Sequence, residues 1–333
     1  MARKEVNGFC GPYGSCKTTL GIQLAIERAR WATHQWRLKG SQGSPERVYF
    51  FSWEEGLEQL QPRVLSYSAQ IIRASLEGDD FQEKLSESSL TSLKKYEREI
   101  YKDQIQAGVI MGERDRIKAA MQELNRNFRI IDFSGAEVMY QAVAGEMVEG
   151  MVTAIKQDQR LSDNPGVAGV IVDYAGAAAE RAIMAGKADR KDLRHLIGRM
   201  PLALKNLVAS PFNCHVWCLH QLGTEANARD AGVAPKSTDA AEARNFFENV
   251  NFGFMVGKPD TNNMTVLANG KQRRATRREN IVVHIRGELS RVEDASKRYT
   301  VEDDMIVPRT DAGQFIRPER RANPRSRDDI GLD

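Results

Sequence analysis

Cysteine is scarce in this chain: Cys10, Cys16, Cys214 and Cys218 are the four in 333 residues, and no two stand at C-x-x-C spacing. That pattern indicates neither a disulfide framework nor a zinc site. Cys214 and Cys218 fall on one face of an expected strand with His215 and His220 beside them; buried thiols in such a place pack as small hydrophobes. Long apolar runs are also missing. None approaches the ~20 residues of a membrane-spanning helix, and Met-Ala-Arg-Lys leads into the first apolar segment without the pattern of a signal peptide. The cytoplasm is the expected location, with no membrane partner. A charge excess is absent as well: 48 basic and 45 acidic residues leave a net charge of +3, so any polyanionic partner must be argued from local clusters. What remains, 41% hydrophobic and 28% charged residues, is the composition of a globular protein long enough for one large α/β domain or two modest ones.

Against that background one stretch stands out. Gly11-Pro-Tyr-Gly-Ser-Cys-Lys-Thr18 fits the phosphate-loop pattern G-x-x-x-x-G-K-[ST] except at Cys16, where the second glycine is missing. Backbone N–H groups of such a loop, opening onto a helix N-terminus, wrap nucleotide phosphates. The expected nucleotide-binding residues are Gly11, Pro12, Tyr13, Gly14, Ser15, Cys16, Lys17, Thr18 and Thr19. Lys17 is expected to reach the β- and γ-phosphates of ATP, and the Thr18 hydroxyl to hold Mg²⁺. The flanks agree: 5–10 suits a short strand, and 19–31 has the apolar periodicity of a helix.

Strand and helix signals then alternate. Arg47-Val-Tyr-Phe-Phe-Ser52 suits a buried strand and ends in Trp53-Glu54-Glu55, an acidic pair where parallel sheets bind ligands. Residues 59–126 read as surface helices, 128–133 as a third strand and 136–155 as a covering helix. Val167-Ala-Gly-Val-Ile-Val-Asp-Tyr174 is a hydrophobic strand ending in Asp173, the expected Mg²⁺ residue beside Thr18. The segment 176–192, with Arg181, Lys187, Arg190 and Lys191, reads as a basic loop that either contacts DNA phosphates or is solvated surface. After a helix at 193–208, a fifth strand at 213–220 delivers Gln221 to the same sheet edge, where an amide senses a γ-phosphate or orients water. Arg229 and Lys236 lie in a polar loop over 223–238 with the same two readings. Residues 252–257, 264–268, 281–285 and 289–292 suit antiparallel strands that extend the sheet, with a dense basic cluster at 270–278 between two of them. The expected organisation is a 1–295 ATPase domain followed by a polar, basic, unstructured tail over 296–333.

With these parts in order, the chain resembles the ATPase domain of DnaB-type replicative helicases, within the RecA-like group, from about Val6 to Val292. Phe51-Ser-Trp-Glu54 resembles the family's F-S-L-E, Ile171-Val-Asp-Tyr174 its I-D-Y strand end, Leu219-His-Gln-Leu222 its L-S-Q-L and Gly270-Lys-Gln-Arg273 its G-K-Q-R. The family's D-L-R-E-S-G stretch is poorly kept in 239–244, and no counterpart of its helical N-terminal domain is expected before the first strand. The resemblance implies an α/β, RecA-like P-loop core, a mostly parallel twisted sheet flanked by helices with antiparallel strands at the C-terminal side. It also implies a hexameric ring with ATP between subunits, Glu54 as the catalytic glutamate, and Lys271 and Arg273 reaching the neighbour's γ-phosphate. Single-stranded DNA would pass through a central channel, and primase or a loader would be a replication partner. The expected activity is ATP-dependent unwinding of DNA during replication; one expectation is a compact, phage-encoded subunit that works in the host cytoplasm. The alternatives are a RecA-like recombinase, a DNA-binding ATPase without unwinding, and a regulatory nucleotide-binding protein.

Overall fold

The computed structural model describes residues 4–70, 113–134, 144–163, 165–184, 189, 191, 193–222, 230–235, 244–272 and 280–309. Its centre is a nine-stranded sheet in the order β3-β2-β4-β5-β1-β6-β7-β8-β9. The strands are β1 (Val6–Gly11), β2 (Arg47–Ser52), β3 (Phe128–Asp132), β4 (Val167–Asp173), β5 (His215–Gln221), β6 (Phe252–Val256), β7 (Met264–Gln272), β8 (Ile281–Arg286) and β9 (Arg291–Asp294). The first six in spatial order run parallel, and β7, β8 and β9 continue antiparallel. Every residue of β1, β2 and β4 is buried, as a parallel sheet covered on both faces requires, and these segments accordingly lack a polar-apolar alternation.

The helices are α1 (Lys17–Leu38), α2 (Leu57–Ala69), α3 (Glu113–Asn127), α4 (Ala144–Arg160), α5 (Ala175–Met184), α6 (Leu193–Leu204) and α7 (Arg244–Asn249). Gly21 of α1 lies so close to the sheet that a Cβ there would sit 2.8 Å from Leu219 Cδ1. On the other face, a Cβ on Gly8 would stand 2.6 Å from the Phe246 ring, and one on Gly253 2.5 Å from Phe247. These bare positions seat α7 on the sheet. Tyr49, Phe50, Phe51 and Trp53 are the bulk of the core around β2. Beneath the start of β2, Asp158 of α4 pairs with the Arg47 guanidinium, accepts from the Tyr49 hydroxyl at 2.9 Å and lies 3.5 Å from Arg129 Nε.

Three expectations need correction. Residues 252–256 pair parallel with β1, not antiparallel, because α7 returns the chain to the same end of the sheet before β6 begins. Residues 175–184 form α5 where small residues suggest a loop; four of its first five residues are alanine, the strongest helix former. The polar tail does not start at 296. β10 (Tyr299–Glu302) and β11 (Met305–Pro308) form an antiparallel hairpin, turned at Asp303 and Asp304, both at positive φ as a two-residue hairpin loop prefers. Tyr299, Val301 and Ile306 pack it against Met264, Val282 and Ala295. Residues 310–333, and the parts of the expected helices over 71–112 and 136–143, lie outside the described residues.

Candidate functional site at the carboxyl edge of the parallel strands

The loop after β1 turns through Gly14, at φ 73°, and Cys16, at φ 58° and ψ 24°. Cys16 thus occupies the left-handed conformation that the missing glycine adopts freely, at a cost of roughly 1–2 kcal/mol for a residue with a Cβ. Gly11 is required for a different reason: a Cβ there would lie 2.4 Å from Ser15 Oγ and 2.8 Å from the Val256 carbonyl. Lys17 is buried and its Nζ donates to the Pro12 carbonyl at 2.7 Å and to Ser15 Oγ at 3.2 Å. No side chain caps the N-terminus of α1 and no acidic residue stands in its first turn, so its leading N–H groups and the helix dipole face outward as an anion site. Tyr13 is 71% exposed at the tip of the loop.

The register brings the other expected residues to this edge. Gln221 is the Cα partner of Gly11, and the Leu222 N–H donates to the Gly11 carbonyl at 2.9 Å. Ser52 is the partner of Asp173, and the Trp53 N–H donates to the Asp173 carbonyl at 2.7 Å. Asp173 is buried, accepts a hydrogen bond from the Thr18 hydroxyl, and among the described residues its Oδ2 has no hydrogen-bond partner. Burial pushes this carboxyl up to about 7, the charges of Glu55 and Glu54 add to the rise, and the Thr18 bond and Lys17 oppose it. A buried carboxylate oxygen left over beside a threonine hydroxyl, at the mouth of a phosphate loop, fits the hydrated Mg²⁺ of a bound nucleotide. Burial likewise lowers the Lys17 ammonium, against the charges of Asp173 and Glu54.

Glu54 and Glu55 are not equivalent. Glu55 is engaged: its carboxylate pairs with the Arg63 guanidinium, its N–H donates to Ser52 Oγ at 3.2 Å and its carbonyl accepts from Ser52 Oγ at 2.7 Å. Glu54 is solvent-accessible, and no ion pair to it occurs among the described residues. Partial desolvation and then the Glu55 charge raise its carboxyl above the usual range, with Lys17 and Arg63 opposing. Arg63, which the sequence does not flag, also donates to Thr19 Oγ1 at 2.8 Å. Its only trace in the sequence is its position eight residues after Glu55, on the helix that follows. His220 is buried, stacks on Phe246 at 5.2 Å, and is driven by burial down to about 3, a neutral filler beside Gln221.

The remaining expected residues stand elsewhere. Lys271 is in β7 opposite Gly253, which is level with Gly8. It therefore lies near the middle of the sheet, set back from Gly11 where the phosphate loop of the same chain begins. Arg181 lies in α5, and Lys191 pairs with Asp189 at 2.8 Å on the surface. Arg273, Lys187, Arg190, Arg229 and Lys236 lie outside the described residues.

No protein-family model matches the sequence, and no curated protein matches it. Solved structures do. A structure described as the ATPase domain of G40P aligns over 88% of this chain and 85% of its own, with a TM-score of 0.57 and 14% identity. A DnaB-like replicative helicase, described with its interactions with primase, aligns over 88% of this chain with a TM-score of 0.58 and 14% identity. The chain spans only 57% of that helicase's length. Among the described residues no helix is long and apolar enough to cross a membrane. With a phosphate loop, a strand-end aspartate and an acidic turn at one edge of a mostly parallel sheet, the chain has the RecA-like fold of the ATPase domain of DnaB-type helicases.

Proposed function

We propose that this protein hydrolyses ATP to move along single-stranded DNA and unwind duplex, as a ring of identical subunits, six by the family resemblance. The observation that carries the reading is the meeting of Thr18, Asp173, Lys17 and Glu54 at one sheet edge, with an unpartnered carboxylate oxygen on Asp173. In the proposed mechanism Lys17 leaves its contacts with Pro12 and Ser15 to bind the β- and γ-phosphates, and the first N–H groups of α1 hold phosphate oxygens. Thr18 and Asp173 would hold Mg²⁺, which would supply charge neutralisation on the phosphates. Glu54, accessible and with a raised carboxyl pKa, orients water and takes its proton as it attacks in line. Gln221 sits level with Gly11 and reports the γ-phosphate to the chain beyond β5. Lys271 and Arg273 act on the neighbouring subunit's nucleotide, a reading favoured by the place of Lys271 in the sheet, level with Gly8 and set back from Gly11 where its own phosphate loop begins.

DNA contacts are assigned to the basic residues Arg181, Lys187, Arg190, Lys191, Arg229 and Lys236, and primase or a loader is the proposed partner in replication, in the cytoplasm. The test is a strand-displacement assay on a forked duplex with ATP and Mg²⁺. ATP-dependent displacement that Lys17→Ala abolishes is the expected result. Hydrolysis stimulated by single-stranded DNA without displacement would instead identify a DNA-dependent ATPase, and nucleotide binding indifferent to DNA a regulatory protein.

A further inference from the structure

Arg63 joins three elements at the site. It projects from α2, its Nη1 pairs with the carboxylate of Glu55 in the turn after β2, and its Nη2 donates to Thr19 Oγ1 in the first turn of α1 at 2.8 Å. Its side chain is 14% exposed. Glu55 is further tied to Ser52 through its main chain. The acidic turn is thereby anchored at Glu55 from both main chain and side chain, and the neighbouring Glu54 is the carboxylate left accessible.

We infer that Arg63 is a positioning residue that locks the Glu54–Glu55 turn to the first turn of the phosphate-loop helix, setting the distance between Glu54 and the γ-phosphate. The inference rests on the proposed role of Glu54 in ATP hydrolysis. A guanidinium suits this task because its planar fork serves Glu55 with one nitrogen and Thr19 with the other, which a single ammonium cannot reproduce. Misplacing a water-orienting group by about 1 Å costs turnover far more than affinity, up to roughly a hundredfold.

The experiment measures kcat for ATP and, separately, the affinity for a fluorescent ATP analogue, in the full chain with DNA present. Arg63→Ala is expected to lower kcat by roughly ten- to a hundredfold while affinity stays within about threefold, and Arg63→Lys to recover part of kcat. Glu55→Gln is expected to lower kcat in the same direction, and the double variant to be less than additive, as for residues that act through one contact. Wild-type kcat in Arg63→Ala, a loss confined to affinity, or full additivity with Glu55→Gln would overturn the inference. Should Arg63→Ala fail to fold, Arg63→Lys decides: reduced kcat at unchanged affinity supports the lock and wild-type kcat overturns it. Glu54→Gln separates the two levels. If it hydrolyses ATP normally, the proposed function of the turn fails and the inference with it. If it is inactive while Arg63→Ala is normal, only the role of Arg63 fails.

Discussion

The main-chain N–H of Trp53 donates to the carbonyl of Asp173 at 2.7 Å, across the β2–β4 pair. This bond fixes the acidic turn to the strand end that carries the buried carboxylate, so that Glu54 and Asp173, far apart in the chain, form one electrostatic unit with Lys17.

In the proposed mechanism Lys17 supplies charge and Glu54 a proton acceptor, so their removal should separate two steps. Lys17→Ala is expected to lose both nucleotide affinity and turnover, and Glu54→Gln to keep affinity and lose turnover. Steady-state hydrolysis beside analogue binding checks this; normal turnover in Glu54→Gln, with loss in a direct comparison with Glu55→Gln, would move the base to Glu55.

Asp173 makes stability depend on pH. Its carboxyl stands at about 7 in the folded protein against 3.8 for the free group, so the folded state holds this proton more tightly. The associated stabilisation is complete below pH ~4 and is lost as pH rises through about 7. Asp173→Asn removes that loss, amounting to a few kcal/mol at about 1.4 per unit. Without nucleotide or Mg²⁺, the variant should melt above wild type at pH 8, with the gap closing toward pH 4. A constant gap across that range would show that Asp173 is already ionised.

Asp158 has the opposite sign. Burial pushes its carboxyl up, but hydrogen bonds from Arg47 and Tyr49 and the charges of Arg47 and Arg129 outweigh it and hold the carboxyl below 3.8. Its stabilisation is therefore present above that value and lost as pH falls further. Asp158→Asn leaves the Arg47 guanidinium, 7% exposed, without its counter-charge, and should cost about 3 kcal/mol in urea denaturation at pH 7. A loss under ~1 kcal/mol would place the pair with ordinary surface ion pairs.

At Cys16, φ 58° makes side-chain shape decisive. Cys16→Gly relieves ~1–2 kcal/mol of left-handed strain against ~0.5–1 kcal/mol of added chain entropy, so melting should show a small gain. Cys16→Val, β-branched at positive φ, should weaken both the fold and nucleotide binding. Equal stability of the three proteins would mean that the loop takes a different backbone path in solution.

The proposed sharing of the site between subunits predicts complementation. Arg273→Ala alone should bind ATP and hydrolyse it ~10³-fold more slowly. Mixed with Lys17→Ala subunits, it should regain turnover, since some interfaces then join an intact loop to an intact Arg273. Normal hydrolysis by Arg273→Ala with DNA present would return the basic cluster at 270–278 to a DNA or surface contact.

The sequence by itself determined the parts that rest on local chemistry. A phosphate loop needs its residues in one uninterrupted run, and buried parallel strands need uninterrupted apolar residues, so Gly11 to Thr18, the segment before Glu54 and the strand ending in Asp173 are legible without coordinates. Tertiary structure decided what depends on residues distant in the chain. The parallel direction of β6 follows from the α7 crossover seated on Gly8 and Gly253, which no window of sequence contains. The hairpin at 299–308 gains its order from burying Tyr299, Val301 and Ile306 against β7, β8 and Ala295, which overrides a polar composition. The difference between Glu54 and Glu55 arises because Arg63, a helix away, binds one and leaves the other; two adjacent identical residues carry no such distinction until a third side chain reaches one of them.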